Sequence, residues 1–222
     1  MNHTAKVLSI LKEERANLRH SPDLSVGGNV KLKRDAIANF SLPAGMTCPG
    51  AGACNNGFCY AQTGNYMRSN VIRRQVQNFL ASTKPYFVDV MVDRIFRLRG
   101  IDTVRIHDSG DFYSAAYIEK WLHIISECKH IKFYAYTKSY TTHELSTLWE
   151  LENFNLIQSV GSRDDSKIDY SKPHAKIFHS SDELVSAGYV DCSYSDLPAA
   201  QGEKKVGLII HGGNKKKFTA VA

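Results

Sequence analysis

Apolar residues along this chain recur with two periods that take turns. Between residues 66 and 82, Val71, Ile72, Val76, Phe79 and Leu80 fall on one stripe, with Arg68, Arg73, Arg74 and Gln75 facing away, and the spacing predicts a helix. Pro85 opens a second helix through residue 98, because proline is tolerated at a first helical position, and Gly100 ends it. Residues 102–107 alternate as a short strand. A third helix over 114–128 presents Tyr117, Trp121, Ile124 and Cys128, flanked by Ile118, Leu122 and Ile125. Further strands are predicted over 131–137, 155–160, 175–179 and 206–210, with a helix over 142–151. Ser181 reads as the N-cap of a short helix that carries Glu183 in its first turn and Gly188 at its end. Upstream, Val7, Ile10 and Leu11 predict a short helix over 6–18. Residues 29–33 and 37–42 read as two strands around an Arg34-Asp35 turn.

Strand–helix alternation with short connections implies a parallel sheet with helices outside it. The strand count fits an incomplete β/α barrel, with a doubly wound open sheet as the alternative. No repeat or low-complexity linker divides the chain, so residues 1–222 read as one α/β domain with loosely attached ends at 1–28 and 212–222. Active residues in such folds gather at the carboxyl ends of the strands. Five polar or glycine-rich loops would then ring one mouth. They are the cysteine loop after residue 42, the run His107-Asp108-Ser109-Gly110-Asp111, Thr137-Lys138-Ser139, Gly161-Ser162-Arg163 and His211-Gly212-Gly213.

The first of these loops is the most informative stretch. Three of the five cysteines, Cys48, Cys54 and Cys59, fall within twelve residues at spacing C-x5-C-x4-C, among four glycines and two prolines. Glycines let a backbone curl with its N–H groups pointing inward, and three thiolates inside such a nest suit an iron–sulfur cluster. Cys128 reads as a small core residue on its helical stripe. Cys192, in Val-Asp-Cys-Ser-Tyr, is either a fourth cluster ligand or an ordinary loop thiol.

Composition narrows the setting. The 222 residues are 43% hydrophobic, enough for a normal core without disulfides. Five cysteines is an odd number, the N-terminus has no apolar signal core, and no apolar run approaches a membrane span, which together imply a cytoplasmic protein with reduced thiols. The net charge of +6 partly reflects the Lys215-Lys216-Lys217 tail together with Lys31, Lys33 and Arg34, and solvated ends explain it better than nucleic acid does.

As a set, Pro-Gly-x-Gly-x-Cys, Cys-Tyr-Ala, Arg-Ile-His-Asp-Ser-Gly-Asp-Phe and Tyr-Thr-Lys-Ser resemble the phage gene-product-88-like family over roughly residues 40–165. Its architecture is similar to that of the radical S-adenosylmethionine (SAM) enzymes. The resemblance implies a phage-encoded 4Fe-4S protein in the host bacterial cytoplasm, with Cys48, Cys54 and Cys59 as metal ligands and SAM as a candidate ligand. As in those enzymes, an aromatic residue, Phe58, precedes the third cysteine. Ser109, Gly110 and Asp111 lie where a Gly-Gly-Glu-like turn receives the SAM amino group. The spacing departs from the usual C-x3-C-x2-C loop by two residues in each gap.

The residues leave several readings. The leading one is a cluster with an open fourth iron that takes a small-molecule ligand, served by a reductant protein, with radical-SAM-like enzyme chemistry as its fullest form. Catalytic candidates are His107, Asp108, Lys138 and Arg163. Lys138 and Arg163 suit a carboxylate or phosphate, and Asp111 either receives an amine or caps the following helix. The alternative is a non-catalytic electron carrier or redox sensor with Cys192 completing the ligands. A zinc module for nucleic acid is weaker, because zinc sites prefer paired ligands two to four residues apart. A hydrolase built on Ser109, His107 and Asp108 is weaker still, because neighbours on a strand end point different ways.

Overall fold

The computed structural model describes residues 2–17, 20–26, 29–52, 54, 59–140 and 145–210. One open eight-stranded sheet organises them, in the order β1-β2-β3-β4-β5-β6-β8-β7. The strands are β1 (Ser25–Val26), β2 (Ile37–Phe40), β3 (Thr103–Ile106), β4 (Lys132–Thr137), β5 (Phe154–Ser159), β6 (His174–Phe178), β7 (Val190–Asp191) and β8 (Lys205–Ile209). Every neighbouring pair is parallel except β1 with β2. From β2 to β6 the spatial order follows the sequence, so the carboxyl ends of β2, β3, β4 and β5 stand side by side. Register brings Phe40 beside Ile106 and Ile106 beside Ala135.

The helices are α1 (His3–Arg15), α2 (Val30–Arg34), α3 (Ser69–Ser82), α4 (Phe87–Phe96), α5 (Ala115–Glu127), α6 (Leu145–Leu148), α7 (Ser181–Ser186) and α8 (Leu197–Ala200). Alternation along the strands sends Ala38, Phe40, Val104, Ile106, Phe133, Ala135 and Leu156 to one face. There they meet the stripes of α4 (Phe87, Met91, Ile95) and α5 (Tyr117, Ile118, Trp121, Ile124, Ile125). Phe40, Phe87 and Trp121 pack edge to face with ring centroids 5.4–6.0 Å apart, a geometry that adds to the area they bury. The opposite face is covered by short pieces, with Leu32 of α2, Cys192, Ala199 and Ala200 on Ile37, Tyr134, Ile157, Ala175 and Val206.

The periodic elements match their sequence expectation with ends displaced by a few residues. Three regions differ. Residues 29–33, expected as a strand, contribute to α2, because the Asn29 side chain accepts the Lys31 N–H (3.0 Å) as an N-cap. The lysines that gave the stretch its alternation do not make a sheet face, for only Leu32 is buried in the five-residue helix. Residues 3–15, expected as part of a loose end, pack on α3 through Val7, Ile10 and Leu11 against Ile72 and Val76. Finally, β1, β7 and α8 were not anticipated, since two to four residues carry no period. Ser180, one residue before the expected Ser181, caps α7 and accepts the Glu183 N–H (3.2 Å). Residues 142–144, Phe58, and the tail with His211, Gly212, Gly213 and the lysine run lie outside the described residues.

Candidate functional site

The chain leaves β2 at Phe40 and is at once tied to the end of β3. Leu42 N donates to Ser109 O (2.8 Å), and Ser109 Oγ donates to Leu42 O (2.8 Å). Gly110 adopts a left-handed φ of 87°, and a Cβ there would stand 2.6 Å from Leu42 Cβ and 2.7 Å from Thr47 Oγ1. Only glycine meets both conditions. The loop then crosses β4 and β5. A Cβ on Gly50 would run into the Lys138 carbonyl, and one on Gly52 would stand 2.6 Å from Arg163 N. Ser162 Oγ lies 2.9 Å from both Gly50 O and Lys138 O, Arg163 N donates to Gly50 O (3.3 Å), and Ala51 forms an isolated bridge with Ser162. Gly50 and Gly52 of the cysteine loop thus serve close packing on the ends of β4 and β5.

This seating brings the three cysteines into one electrostatic neighbourhood. Burial pushes the Cys48 thiol up to about 12, helped by the nearby Asp111 carboxylate and by Cys59 and Cys54, against a backbone hydrogen bond at Gly45. Burial likewise pushes Cys59 up to about 11, with Cys54 adding to the rise, while backbone hydrogen bonds at Ala61 and Gln62 and the Lys138 ammonium oppose it. None of the five cysteines is in a disulfide. Among the described residues no three His, Cys, Asp or Glu side chains are close enough to hold a single metal ion. A multi-iron cluster makes a different demand, since each thiolate binds its own iron and the ligands ring the cluster. Three partly buried thiols on one loop, with backbone amides facing a sulfur, fit that demand.

The other expected site residues divide into braces and outliers. Asp111 is buried, and its carboxylate accepts from Phe112 N (2.7 Å), Thr137 Oγ1 (2.7 Å) and Lys138 N (2.8 Å). Burial raises its pKa against those bonds. It neither caps α5, where Ser114 accepts the Tyr117 N–H (3.3 Å), nor points an unoccupied oxygen at the loop. With Ser109 and Gly110 it pins the ends of β2, β3 and β4 together. Asp108 accepts from Ser41 Oγ and from Tyr66 OH (3.0 Å), and its carbonyl accepts from Tyr60 OH.

His107 turns to the helix face. Its Nε2 lies 2.8 Å from Tyr117 OH, its ring packs edge to face on Phe112 at 4.7 Å, and burial with Arg105 nearby lowers its pKa to about 3. A neutral imidazole in that packing is a core residue. The Arg163 side chain is 63% exposed and pairs with Asp164 (3.3 Å), so its backbone touches the loop while its side chain lies largely in solvent. Cys192 is buried in the apolar cluster of the opposite face, and Cys128 in the cluster under α5.

Two participants were not singled out from the sequence. Tyr60, next to Cys59, keeps its ring half exposed at 51% while its hydroxyl sits between Asp108 O and Arg105 Nη2 (3.4 Å). Arg105 stands on the inward side of β3, 5.1 Å from the centroid of the Tyr136 ring, and pairs with Asp196 (2.9 Å). An arginine inside the apolar run Thr-Val-Arg-Ile was the available signal, because a buried strand seldom carries a charge without a partner.

A model of the family described as Gene product 88 matches residues 10–220. Two similar proteins are the Gene 88 protein of Mycobacterium phage D29 and the Gene 88 protein of Mycobacterium phage L5. The first is 26% identical over 202 residues, covering 82% of this chain and 79% of that protein. The second is 26% identical over an alignment of 228 residues, covering 90% of each. No solved structure matches the chain. Among the described residues no helix is long and apolar enough to cross a membrane.

Proposed function

This chain belongs to the Gene product 88 family, and we propose that it is a phage-encoded iron–sulfur protein that holds a 4Fe-4S cluster on Cys48, Cys54 and Cys59. One observation carries the reading. A single glycine-seated loop puts three thiols, each within electrostatic range of another, at the carboxyl edge of adjacent parallel strands. We read the run from β2 to β6 and β8 as an incomplete β/α barrel of the radical-SAM type, with the loop at its mouth. When bound, such a cluster supplies one-electron chemistry and, with three thiolates only, an iron open to a small molecule such as SAM.

The chain's own residues have distinct tasks in this reading. Gly50 and Gly52 hold the loop against the strand ends, and the Ala61 and Gln62 amides lower the electron density on the Cys59 sulfur. Ser109, Gly110 and Asp111 fix where the loop begins, and the ring of Tyr60, the residue after the third cysteine, packs edge to face on Tyr66 at 5.6 Å. The alternative of a closed electron carrier requires Cys192, which lies among Leu32, Ile37, Ala199 and Val206 instead. Any small-molecule ligand then approaches at the loop, because the sheet's other approach is filled by α2, α8 and residues 192–196.

The test is anaerobic reconstitution with iron and sulfide. The parent should hold about four irons and absorb near ~400 nm. Cys48→Ala, Cys54→Ala and Cys59→Ala should each lose most of the iron, and Cys192→Ala should keep it. An EPR signal of the reduced parent that shifts on adding SAM supports the open iron. Full iron content in all three loop variants would falsify the assignment.

A further inference from the structure

Lys138 ends β4 at the most crowded point of the mouth. Its N–H donates to Asp111 Oδ2 (2.8 Å), its carbonyl meets Ser162 Oγ (2.9 Å), and Gly50 lies against that carbonyl. Its side chain runs sideways to the end of β5, with Nζ at 3.0 Å from Ser159 Oγ, 3.2 Å from Ser159 O and 2.5 Å from Val160 O. All three acceptors are neutral. Among the described residues no ion pair includes Lys138.

An ammonium partly withdrawn from water onto neutral oxygens is unfavourable unless a negative charge stands nearby. Burial accordingly lowers the pKa of Lys138, and the groups that counter this are Cys54, Asp165, Asp111 and Cys59, in that order. The two carboxylates do not change with what the loop holds, and each is fixed by other donors. Asp165 accepts from Gly161 N, Ser162 N (both 2.8 Å) and Tyr140 OH (2.6 Å), and Asp111 accepts its three bonds. The remaining two are loop cysteines, whose charge appears only on ionisation or on metal binding.

Building on the cluster reading, we infer that the Lys138 ammonium is the counter-charge of the three-cysteine site, fixed in place to offset the negative charge that Cys54 and Cys59 carry as ligands. Tethered to the β5 end by three hydrogen bonds, it keeps its place beside the loop, and its field is screened less than that of a free surface lysine. Lys138 is therefore a positioning residue for charge: it favours thiolate ligation and raises the reduction potential of whatever metal group the loop holds.

The probe is cobalt(II) in several-fold excess, so that each thiolate can take its own ion, added anaerobically to the full chain and read by thiolate-to-cobalt charge-transfer absorption. Lys138→Gln keeps a donor toward Ser159 and Val160 but drops the charge, and Lys138→Arg keeps the charge. Affinity should fall about tenfold in Lys138→Gln, one pKa unit's worth of interaction, and stay within about threefold of the parent in Lys138→Arg. Parent-like affinity in Lys138→Gln overturns the inference, because a mere tie between β4 and β5 would be rescued by glutamine. If Lys138→Gln does not fold, the arginine variant decides, and a tenfold loss in folded Lys138→Arg overturns it. Iron and sulfide uptake is measured in parallel. Thiolate-bound cobalt with no iron–sulfur uptake by the parent sinks the cluster reading and leaves Lys138 standing. A parent that takes up neither cobalt nor iron and sulfide through its thiols overturns both.

Discussion

The two faces of the sheet are held by different physics. On the helix face, Phe40, Phe87, Phe133 and Trp121 are buried against one another and against α4 and α5, and stability there is apolar area and ring packing. On the other face, a charged knot replaces part of that packing. Asp196, with no exposure at all, joins Lys31 (2.8 Å), Arg105 (2.9 Å) and Tyr134 OH (2.8 Å). The knot ties the late segment that includes α8 to α2 and β3, and its upper end reaches Tyr60 beside Cys59. A dry face tolerates changes of hydrophobe at modest cost, whereas a knot of buried charges fails when one member is lost. The candidate site sits at the rim of the charged face, so its geometry inherits that all-or-none character.

Three substitutions or conditions would break this contrast, with effects of decreasing size. Trp121→Ala should cost about 3–5 kcal/mol by emptying the centre of the helix face. Urea melts would show it, with metal uptake by the folded fraction unchanged; a loss under about 1 kcal/mol would mean that the face is not the main core. Asp196→Asn keeps the shape but leaves Arg105 and Lys31 facing no charge, and should cost about 3 kcal/mol. Burial pushes the Asp196 carboxyl up, yet Arg105 and Lys31 outweigh this and hold it below its ordinary value. Its contribution is therefore complete above the unfolded pKa near 4 and is lost as pH falls through the lower folded value. An Asp196→Asn protein with unchanged acid stability would remove the knot from the account.

The smallest effect concerns His107, which is neutral in the folded chain. The unfolded histidine protonates below about pH 6.5 while the folded one resists to about 3, so stability falls as pH drops through that window. Going from pH 7.5 to 5.5 should cost about 1.4 kcal/mol. His3, also lowered by burial, adds in the same direction. His107→Asn, acceptable at the left-handed φ of 65°, should flatten the slope without abolishing it. An unchanged slope would show that His107 titrates normally and reopen it as an acid–base group.

How much could be read in advance follows the same division. The α3, α4 and α5 stripes bury one face each, so a period of 3.6 announced them, and the β3, β4 and β5 runs were bracketed by glycines and turns. The cysteine loop was visible through its spacing and its glycines. What those glycines touch was not visible, for Gly50 is required by Lys138 and Gly52 by Arg163, each more than eighty residues on. Ser109-Gly110-Asp111 looked like a ligand turn because polar residues at a strand end are common to ligand sites and to braces. Only the partners, Leu42, Thr47 and Thr137, tell the two apart.

Local sequence by itself determined the longer periodic strands and helices, the apolar stripes and the concentration of thiols in one connection, because each depends on neighbours within a few residues. The tertiary structure decided where charge resides. Whether Arg105 meets Asp196 and whether Lys138 lies beneath the cysteine loop depend on segments brought together across 91 residues in the first case and 88, from Gly50 to Lys138, in the second. Electrostatic energy depends on distance and burial, and neither is written in the spacing of residues along a chain.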